Sequence, residues 1–495
     1  MSNEHAKLID QFVEFEAAQG LFDLELQGIK IWPYLRFGIY SKIKKKLFGL
    51  ADAHYSKKNN SKLMRLGAII KLLPDIILKN PFIYLREKDV IVFNHQRRVK
   101  NGEFYDCIYT DQILNEFPCS YYVFEALYHG SHYKPIRTSS VKYLDYIDLR
   151  NAILREVYRL AGIKVLTKED KDKVRKLVKK INNKFEVKLC PEGYIRTVQR
   201  VIHNNYLYKI AYEHIIKKVK PKLFIEVYYY SSKCMAMNEL TKKYSIKSIE
   251  LQHGVMGRGH VAYNYKTRKQ PSAFPDHLFL FGEYWKDTTR LPIEESNIHV
   301  TGFPYYESKI EDLKNSKDDK QDQKITILFV SQGPIGESLS RIAVDLSGLI
   351  QKKLFLIIYK LHPGEYYNWS NRYPWLADDE VDIEVVHDNK RDIYHFLNLA
   401  DYQIGVNSTT LYEGLGFNLR TFIVKLPGWE AMEDLTKMKY AELVTSASEI
   451  ADLVKNDEGL SSITKNKNVN DYFWKKDSLK NILEAIIKLQ MIDAI

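Results

Sequence analysis

Two runs of strand–helix alternation, broken once by the polar stretch KIEDLKNSKDDKQDQK (Lys309 to Lys324), constrain this chain more than any other feature. In the first run, apolar segments recur as DVIVFNH (Asp89 to His95), CSYYVFEAL, KLFIEVYYY (Lys222 to Tyr230), a strand ending at Leu251, DHLFLFG (Asp276 to Gly282) and IHVTGFP (Ile298 to Pro304). The second run holds ITILFVSQG, LFLIIYKLHPGE, VDIEVVHD, YQIGVN and TFIVKLPG, with helical patterns such as RDIYHFLNLA between them. Short β-branched runs bounded by polar residues are strands buried on both faces, and strand–helix–strand units build parallel sheets covered by helices. The restart after a polar linker or exposed hinge implies two such domains in tandem. The predicted class is α/β: two Rossmann-like domains facing across a cleft, with an N-terminal helical extension.

The extents that follow are 1–85 for a helical, basic extension, 86–304 for the first Rossmann-like domain, 305–475 for the second and 476–495 for a terminal helix. A length of 495 residues exceeds what one core usually holds, which agrees with this division. KEDKDKVRKLVKKINNKFEVK has apolar residues at helical spacing and reads as a charged helix, an insertion or a domain-edge hairpin.

The four cysteines, Cys107, Cys119, Cys190 and Cys234, have neither CxxC pairing nor metal-ligand spacing, so a disulfide framework is not expected and a reducing cytoplasm fits. No basic-then-apolar leader opens the sequence, and no apolar run approaches the roughly 20 residues needed to span a bilayer. The net charge of +12 is uneven: residues 41–80 hold ten Lys/Arg against Asp52 and Asp75. Basic residues interleaved with Leu, Ile and Met describe either an amphipathic segment on an anionic membrane surface or a solvated helix packed on the protein. Nucleic acid is not expected as a partner, since no nucleic-acid motif accompanies the charge.

In open α/β sheets, ligands bind beyond the carboxyl ends of the strands. In the second domain those ends are Ser331-Gln332-Gly333, Lys360-Leu361-His362-Pro363-Gly364 and Asn407-Ser408-Thr409-Thr410. Ser408, Thr409 and Thr410 stand where a helix begins, so free amides and hydroxyls converge on a phosphate or ribose. Thr410 to Glu413 also fits a capping box, which needs only one hydroxyl. His362 is held extended by Pro363, and Lys360 shares its side of the strand. In the first domain the strand ends offer His253, Glu226 and the loop holding Arg97, Arg98 and Asp111. His253, in LQHGVMGRGH, is either a proton acceptor near its ordinary pKa or the residue that shapes this glycine-rich loop. Arg97, Arg98 and Arg258 are candidates for meeting a negatively charged ligand; a solvated basic turn explains the arginine pair equally.

With these residues the chain resembles the GT-B glycosyltransferases of bacterial surface (capsule or O-antigen) polysaccharides. The group includes the CMP-sugar-using sialyl-, polysialyl- and Kdo-transferases and the teichoic-acid polymerases. The resemblance runs from about Asp89 to Gly428 and also includes FPDHLFLFGEYWKD and VTGFPYYE. It implies that His362-Pro363 and Ser408-Thr409-Thr410 hold the nucleotide and its phosphate, with Glu413 at the ribose. The sialyltransferases' acidic base motif has one match, Asp457-Glu458-Gly459, far beyond the His-Pro pair. The implied activity is glycosyl transfer from a nucleotide sugar to a growing surface polysaccharide or lipid-linked glycan at the cytoplasmic membrane face. It needs no cofactor and no metal. Alternatives on the same fold are a polyol-phosphate transferase, a nucleotide-sugar epimerase, or a non-catalytic polysaccharide-assembly protein.

Overall fold

The computed structural model describes residues 4–48, 73–96, 98–128, 130–163, 165–315, 324–456 and 469–491. Most of the basic stretch within residues 41–80 lies outside these, as do Arg97 and the Asp457-Glu458-Gly459 triplet.

The chain opens with helices α1 (Glu4–Ala18) and α2 (Trp32–Phe48), then forms β1 (Val90–Phe93), β2 (Tyr121–Glu125) and β3 (Val141–Tyr143). Three helices follow: α3 (Asp145–Leu160), α4 (Lys168–Phe185) and α5 (Pro191–Val219). The first sheet is completed by β4 (Leu223–Glu226), helix α6 (Ser232–Lys243), β5 (Lys247–Leu251), β6 (His277–Leu280) and β7 (Ile298–Val300). Helix α7 (Pro304–Asn315) occupies the first half of the expected polar linker; residues 316–323 lie outside the description. Its Tyr305 and Tyr306 are buried, and this anchors as helix what composition alone reads as linker.

The second sheet takes β8 (Ile325–Val330), helix α8 (Gly336–Leu349), β9 (Phe355–Lys360), β10 (Glu384–Val386), β11 (Tyr402–Gly405), helix α9 (Thr409–Leu415), β12 (Arg420–Val424) and β13 (Glu442–Val444). Helix α10 (Ser478–Met491) follows. The seven-stranded sheet has the order β7-β6-β5-β4-β1-β2-β3, and the six-stranded sheet β10-β9-β8-β11-β12-β13. Every pairing within both is parallel. Both are doubly wound, so each has a switch point: β1 beside β4, and β8 beside β11.

The local rules are plain. β1 and β4 are buried along their whole length, as helix-covered parallel strands require. α4 opens on a capping box between Thr167 and Asp170 and buries Val174, Leu177, Val178, Ile181 and Phe185, one face at helical spacing. That face shares a core with α1, α2 and the start of α5, so the extension and α4 form one helical module.

The domains are joined by an aromatic core. Tyr284 Oη lies 3.0 Å from Tyr412 Oη and donates to Asp434 at 3.1 Å. Trp285 Nε1 donates to the Phe473 carbonyl and Trp474 Nε1 to the Tyr412 carbonyl. The chain returning through Phe473–Ser478 lies directly on Gly282 and Gly302, where a Cβ would overlap its backbone. α10 then buries Ile482, Ile486 and Leu489 against Val90, Val92 and Ile249 of the first sheet.

Candidate active site

β5 ends at Leu251, and Gln252 fixes the turn that follows. Its amide accepts from the Phe281 N–H at 2.8 Å and donates to the Gly254 carbonyl at 2.8 Å. The His253 carbonyl accepts from Tyr109 Oη at 2.9 Å, and its ring Nε2 lies 3.0 Å from Tyr230 Oη. The far end of the loop is held equally well. Asn264 Nδ2 donates to the carbonyls of Gly257 (3.1 Å) and His260 (2.9 Å). Arg36 of α2 donates to the carbonyls of Val261 (2.7 Å) and Asn264 (2.9 Å), while its other donors grip the buried Glu16 carboxylate of α1. The glycine-rich stretch is therefore a shaped loop clamped by the N-terminal extension.

His253 departs from the expected near-ordinary pKa. Burial pushes it down to about 3, helped by the nearby imidazoles of His260 and His95 and opposed by the backbone at Val227. His260 is pushed down to about 4 by burial, with Lys44 and Arg36 adding to the effect. Both rings are neutral near pH 7. They belong to a wall of aromatic faces beside the β1/β4 switch point: Tyr228 stands 5.5 Å from His95 and 5.7 Å from His253, and Phe37 of α2 stacks on Tyr230 at 5.0 Å.

Across the cleft lies the β8/β11 switch point. Ser408, not Thr410, caps the short helix α9: its Oγ accepts the Thr410 N–H at 3.2 Å. The helix starts earlier than the Thr410–Glu413 pattern implies: Ser408 is extended and Thr409 is already helical. Thr409 and Thr410 are half-buried, and Glu413 is buried in α9 with its carbonyl accepting from Tyr306 Oη at 2.9 Å. A Cβ built on Gly254 would stand 3.6 Å from Thr409 Oγ1, so the His253 loop and the Ser408–Thr409 corner meet.

His362 is exposed, and its Nδ1 accepts the Gly364 N–H at 3.1 Å; that bond places the neutral ring's proton on Nε2. Glu365 organises this corner, accepting from the His362 N–H (2.9 Å), Ser331 Oγ (3.1 Å) and Tyr373 Oη (2.5 Å). Ser331 is thereby turned inward and buried, whereas Gln332 and Gly333 stay half-buried on the approach to α8. The Gly333 carbonyl accepts from Arg372 at 2.6 Å. Lys360 is buried and donates to Tyr366 Oη (2.5 Å) and the Asp388 carbonyl (2.9 Å).

Three expected residues sit elsewhere. Glu226 is wholly buried, with Oε1 accepting from Asn238 at 2.7 Å, because strand alternation turns it beneath α6. Burial pushes its pKa up to about 7, and the adjacent Glu250, paired with it in register, is pushed well above the usual range by burial and then by Glu226. Arg98 is buried against Glu125 (2.7 Å) and Asp111 (2.8 Å), so neither Arg98 nor Asp111 faces a ligand. Asp111 Oδ2 also accepts the Cys107 N–H at 2.9 Å, which ties the loop after β1 together. Arg258 is exposed on the glycine loop.

Sequence reasoning missed Tyr228 and Tyr230, because KLFIEVYYY reads as one strand to its end. The strand stops at Glu226, and the tyrosines fan into the cleft wall. Their run of three aromatic hydroxyls at a strand end was the available signal. Arg372, Phe37 and Gln252 carry no local signature. Among the described residues, no group of three or more His, Cys, Asp or Glu side chains is arranged to hold a metal ion.

No family model and no curated protein matches the chain. Solved structures do. UDP-GlcNAc 2-epimerase from Methanocaldococcus jannaschii aligns with TM-score 0.47 and 11% identity over 81% of this chain and 99% of that one. UDP-GlcNAc 2-epimerase from Neisseria meningitidis, bound to UDP-GlcNAc, aligns with TM-score 0.46 and 12% identity over 81% and 99%. The wall teichoic acid polymerase TagF aligns with TM-score 0.45 and 12% identity over 88% and 99%.

Proposed function

We propose that this cleft transfers a glycosyl unit from a nucleotide sugar to a growing surface polysaccharide or lipid-linked glycan, at the cytoplasmic membrane face. The observation that carries it is the meeting of two switch points, one offering hydroxyls and amides, the other aromatic faces and a neutral imidazole. On this reading the nucleotide lies along β8, β9 and β11. Ser408 and Thr409 meet its phosphate, His362 Nε2–H donates to a phosphate oxygen, and the amides that open α8 add positive potential. Such donors are fixed before reaction and offset the charge on the departing phosphate. The acceptor lies against Tyr228, Tyr230 and Phe37. His253 takes the acceptor hydroxyl's proton. Burial depresses its pKa, and an anionic donor entering beside Gly254 raises it toward the working range.

A thermal-shift panel of CMP, CDP, UDP, GDP and their sugars tests the donor half, since a ligand bound only by the native state raises the melting temperature. One nucleotide class is expected to stabilise the chain, and a His362→Ala chain is expected to lose most of that shift. Formation of an isomer from nucleotide sugar alone, without acceptor, would replace this reading by epimerisation. An unchanged shift across the whole panel would remove the nucleotide site.

A further inference from the structure

Among the described residues, 17 large apolar side chains stand exposed, and eleven of them come from three stretches: 73–84 at the end of the extension, and 153–163 and 206–210 of the first domain. Scattered exposed apolar residues need no explanation, but a contiguous concentration does. These stretches are packed on one another. Phe82 touches Tyr146 of α3 (ring centroids 5.6 Å) and His214 of α5 (5.3 Å). α3 and α5 are joined by Tyr208 Oη donating to Asp148 at 2.9 Å and by the rings of Tyr158 and His203 at 5.7 Å. The first stretch runs along the open edge of the sheet, where its Lys79 carbonyl accepts the Tyr143 N–H at 2.8 Å.

On α3 the exposed large apolar residues are Ile153, Val157 and Leu160, spaced as one outward stripe beside the exposed Glu156–Arg159 pair, while the opposite face buries Ile147 and Asn151. Leu78 is 74% exposed and Tyr84 is 88% exposed on the neighbouring stretch. Among the described residues, no segment covers this apolar stripe of the sixteen-residue helix.

Charge identifies the occupant. The carboxylates of this flank are neutralised internally: Asp75 by Lys134, Asp148 by Lys233, Glu156 by Arg159 and Glu213 by Lys243. Lys79 and Arg86 are exposed beside them. The pKa of Lys142 is pulled down by burial and then by Lys79, which marks a positive potential here. The sequence that enters this flank at Leu73 carries five Lys/Arg against one Asp over residues 49–72. An apolar surface edged by cations, with tyrosines at its margin, matches the boundary of an anionic bilayer. A protein partner of ordinary composition offers no such match.

We propose that this flank of the first domain, centred on the outward stripe of α3, docks the protein on an anionic lipid bilayer. The proposal deepens the membrane-face placement above and does not rest on the glycosyl-transfer step.

The test is co-sedimentation of the full chain with vesicles of phosphatidylcholine and phosphatidylglycerol in about a 7:3 ratio, and with phosphatidylcholine alone. Binding is expected to the mixed vesicles, weakened by salt. Combined Ile153→Ser, Val157→Ser and Leu160→Ser substitutions are expected to reduce it about tenfold or more, since each removes apolar area from the contact. So are Leu78→Ser with Tyr84→Ser. All five side chains are exposed, so the melting temperature and any nucleotide-induced shift stay at wild-type values. Leu349→Ser with Leu354→Ser, exposed on the second domain, leaves binding intact. Wild-type vesicle binding by the triple variant would assign it to residues 49–72 and overturn the proposal. So would absence of binding by the wild type, or a wild-type dimer in light scattering that the triple variant abolishes.

Discussion

Gly254 and Thr409 face one another across the cleft, with 3.6 Å between the threonine Oγ1 and the point where a glycine Cβ would stand. That spacing is ordinary van der Waals contact, so one methyl group fits and a larger side chain does not. Gly254→Ala is expected to keep activity within about threefold, whereas Gly254→Leu holds the two domains apart. A misplacement of about 1 Å can cost about 100-fold in rate. Steady-state kinetics on both variants checks this, and full activity in Gly254→Leu would show that the cleft need not close here.

His253 and His362 differ in environment and therefore in what their loss does. His362 is exposed at the nucleotide side, with Nε2 carrying the proton. His362→Ala is expected to weaken donor binding, seen as a raised donor KM and a smaller thermal shift. His253 is expected to act on the acceptor's proton, so His253→Ala lowers kcat by about 100-fold or more while the donor shift is kept. Equal loss of donor binding in both variants would contradict the division of roles.

The buried Glu226 makes stability depend on pH in an unusual direction. Its folded pKa is raised from 4.5 to about 7, so across that interval the folded chain holds a proton the unfolded chain has released. Stability is full below about 4.5 and falls as pH rises through 7. Glu226→Gln removes the penalty and is expected to be more stable than wild type at pH 8 by roughly 3 kcal/mol, with little difference at pH 4.5. His253 and His260 act on the acid side: their lowered pKa values give stability that is present above 6.5 and is lost as pH falls. Melting temperature against pH for both chains measures these slopes.

Arg36 ties the extension to the loop that carries His253. Removing it strands the Glu16 carboxylate, which is 1% exposed. Arg36→Leu is expected to cost about 3–5 kcal/mol, the usual result of breaking one side of a buried pair. Glu16→Gln in the same chain is expected to restore much of that stability. Activity at a permissive temperature stays low in both, because the carbonyls of Val261 and Asn264 lose their donor. Normal turnover in the double variant would separate the extension from the chemistry.

Much of this fold was legible in the chain. The apolar runs named all the strands of both sheets except the three-residue β3 and β13, because fully buried parallel strands leave continuous β-branched signatures. The second-domain candidates lie where strand ends predict. The first-domain candidates divide by a distinction that sequence cannot express, namely which face of a strand or loop a polar side chain occupies. Glu226 and His253 both follow apolar runs, yet one turns beneath α6 and the other toward the cleft. Arg98 reads as a ligand-facing cation until Glu125 is seen to close over it, and nothing in the spacing of 98, 111 and 125 announces that contact. The clamp of Arg36 on residues 261 and 264 is likewise a long-range bond with no local pattern.

The return of helix α10 to the first sheet has a consequence for biosynthesis. Val90 and Val92 of β1 share a core with Ile482, Ile486 and Leu489, so the domain whose first strand leaves the ribosome early lacks part of its interior until residue 489 has been translated. The second domain, whose sheet is built from residues 325–444, can close before then. The nascent first domain therefore waits with an apolar face open to solvent and to chaperones. Loss of α10 by proteolysis or a stop codon ahead of it should damage the first domain more than the second.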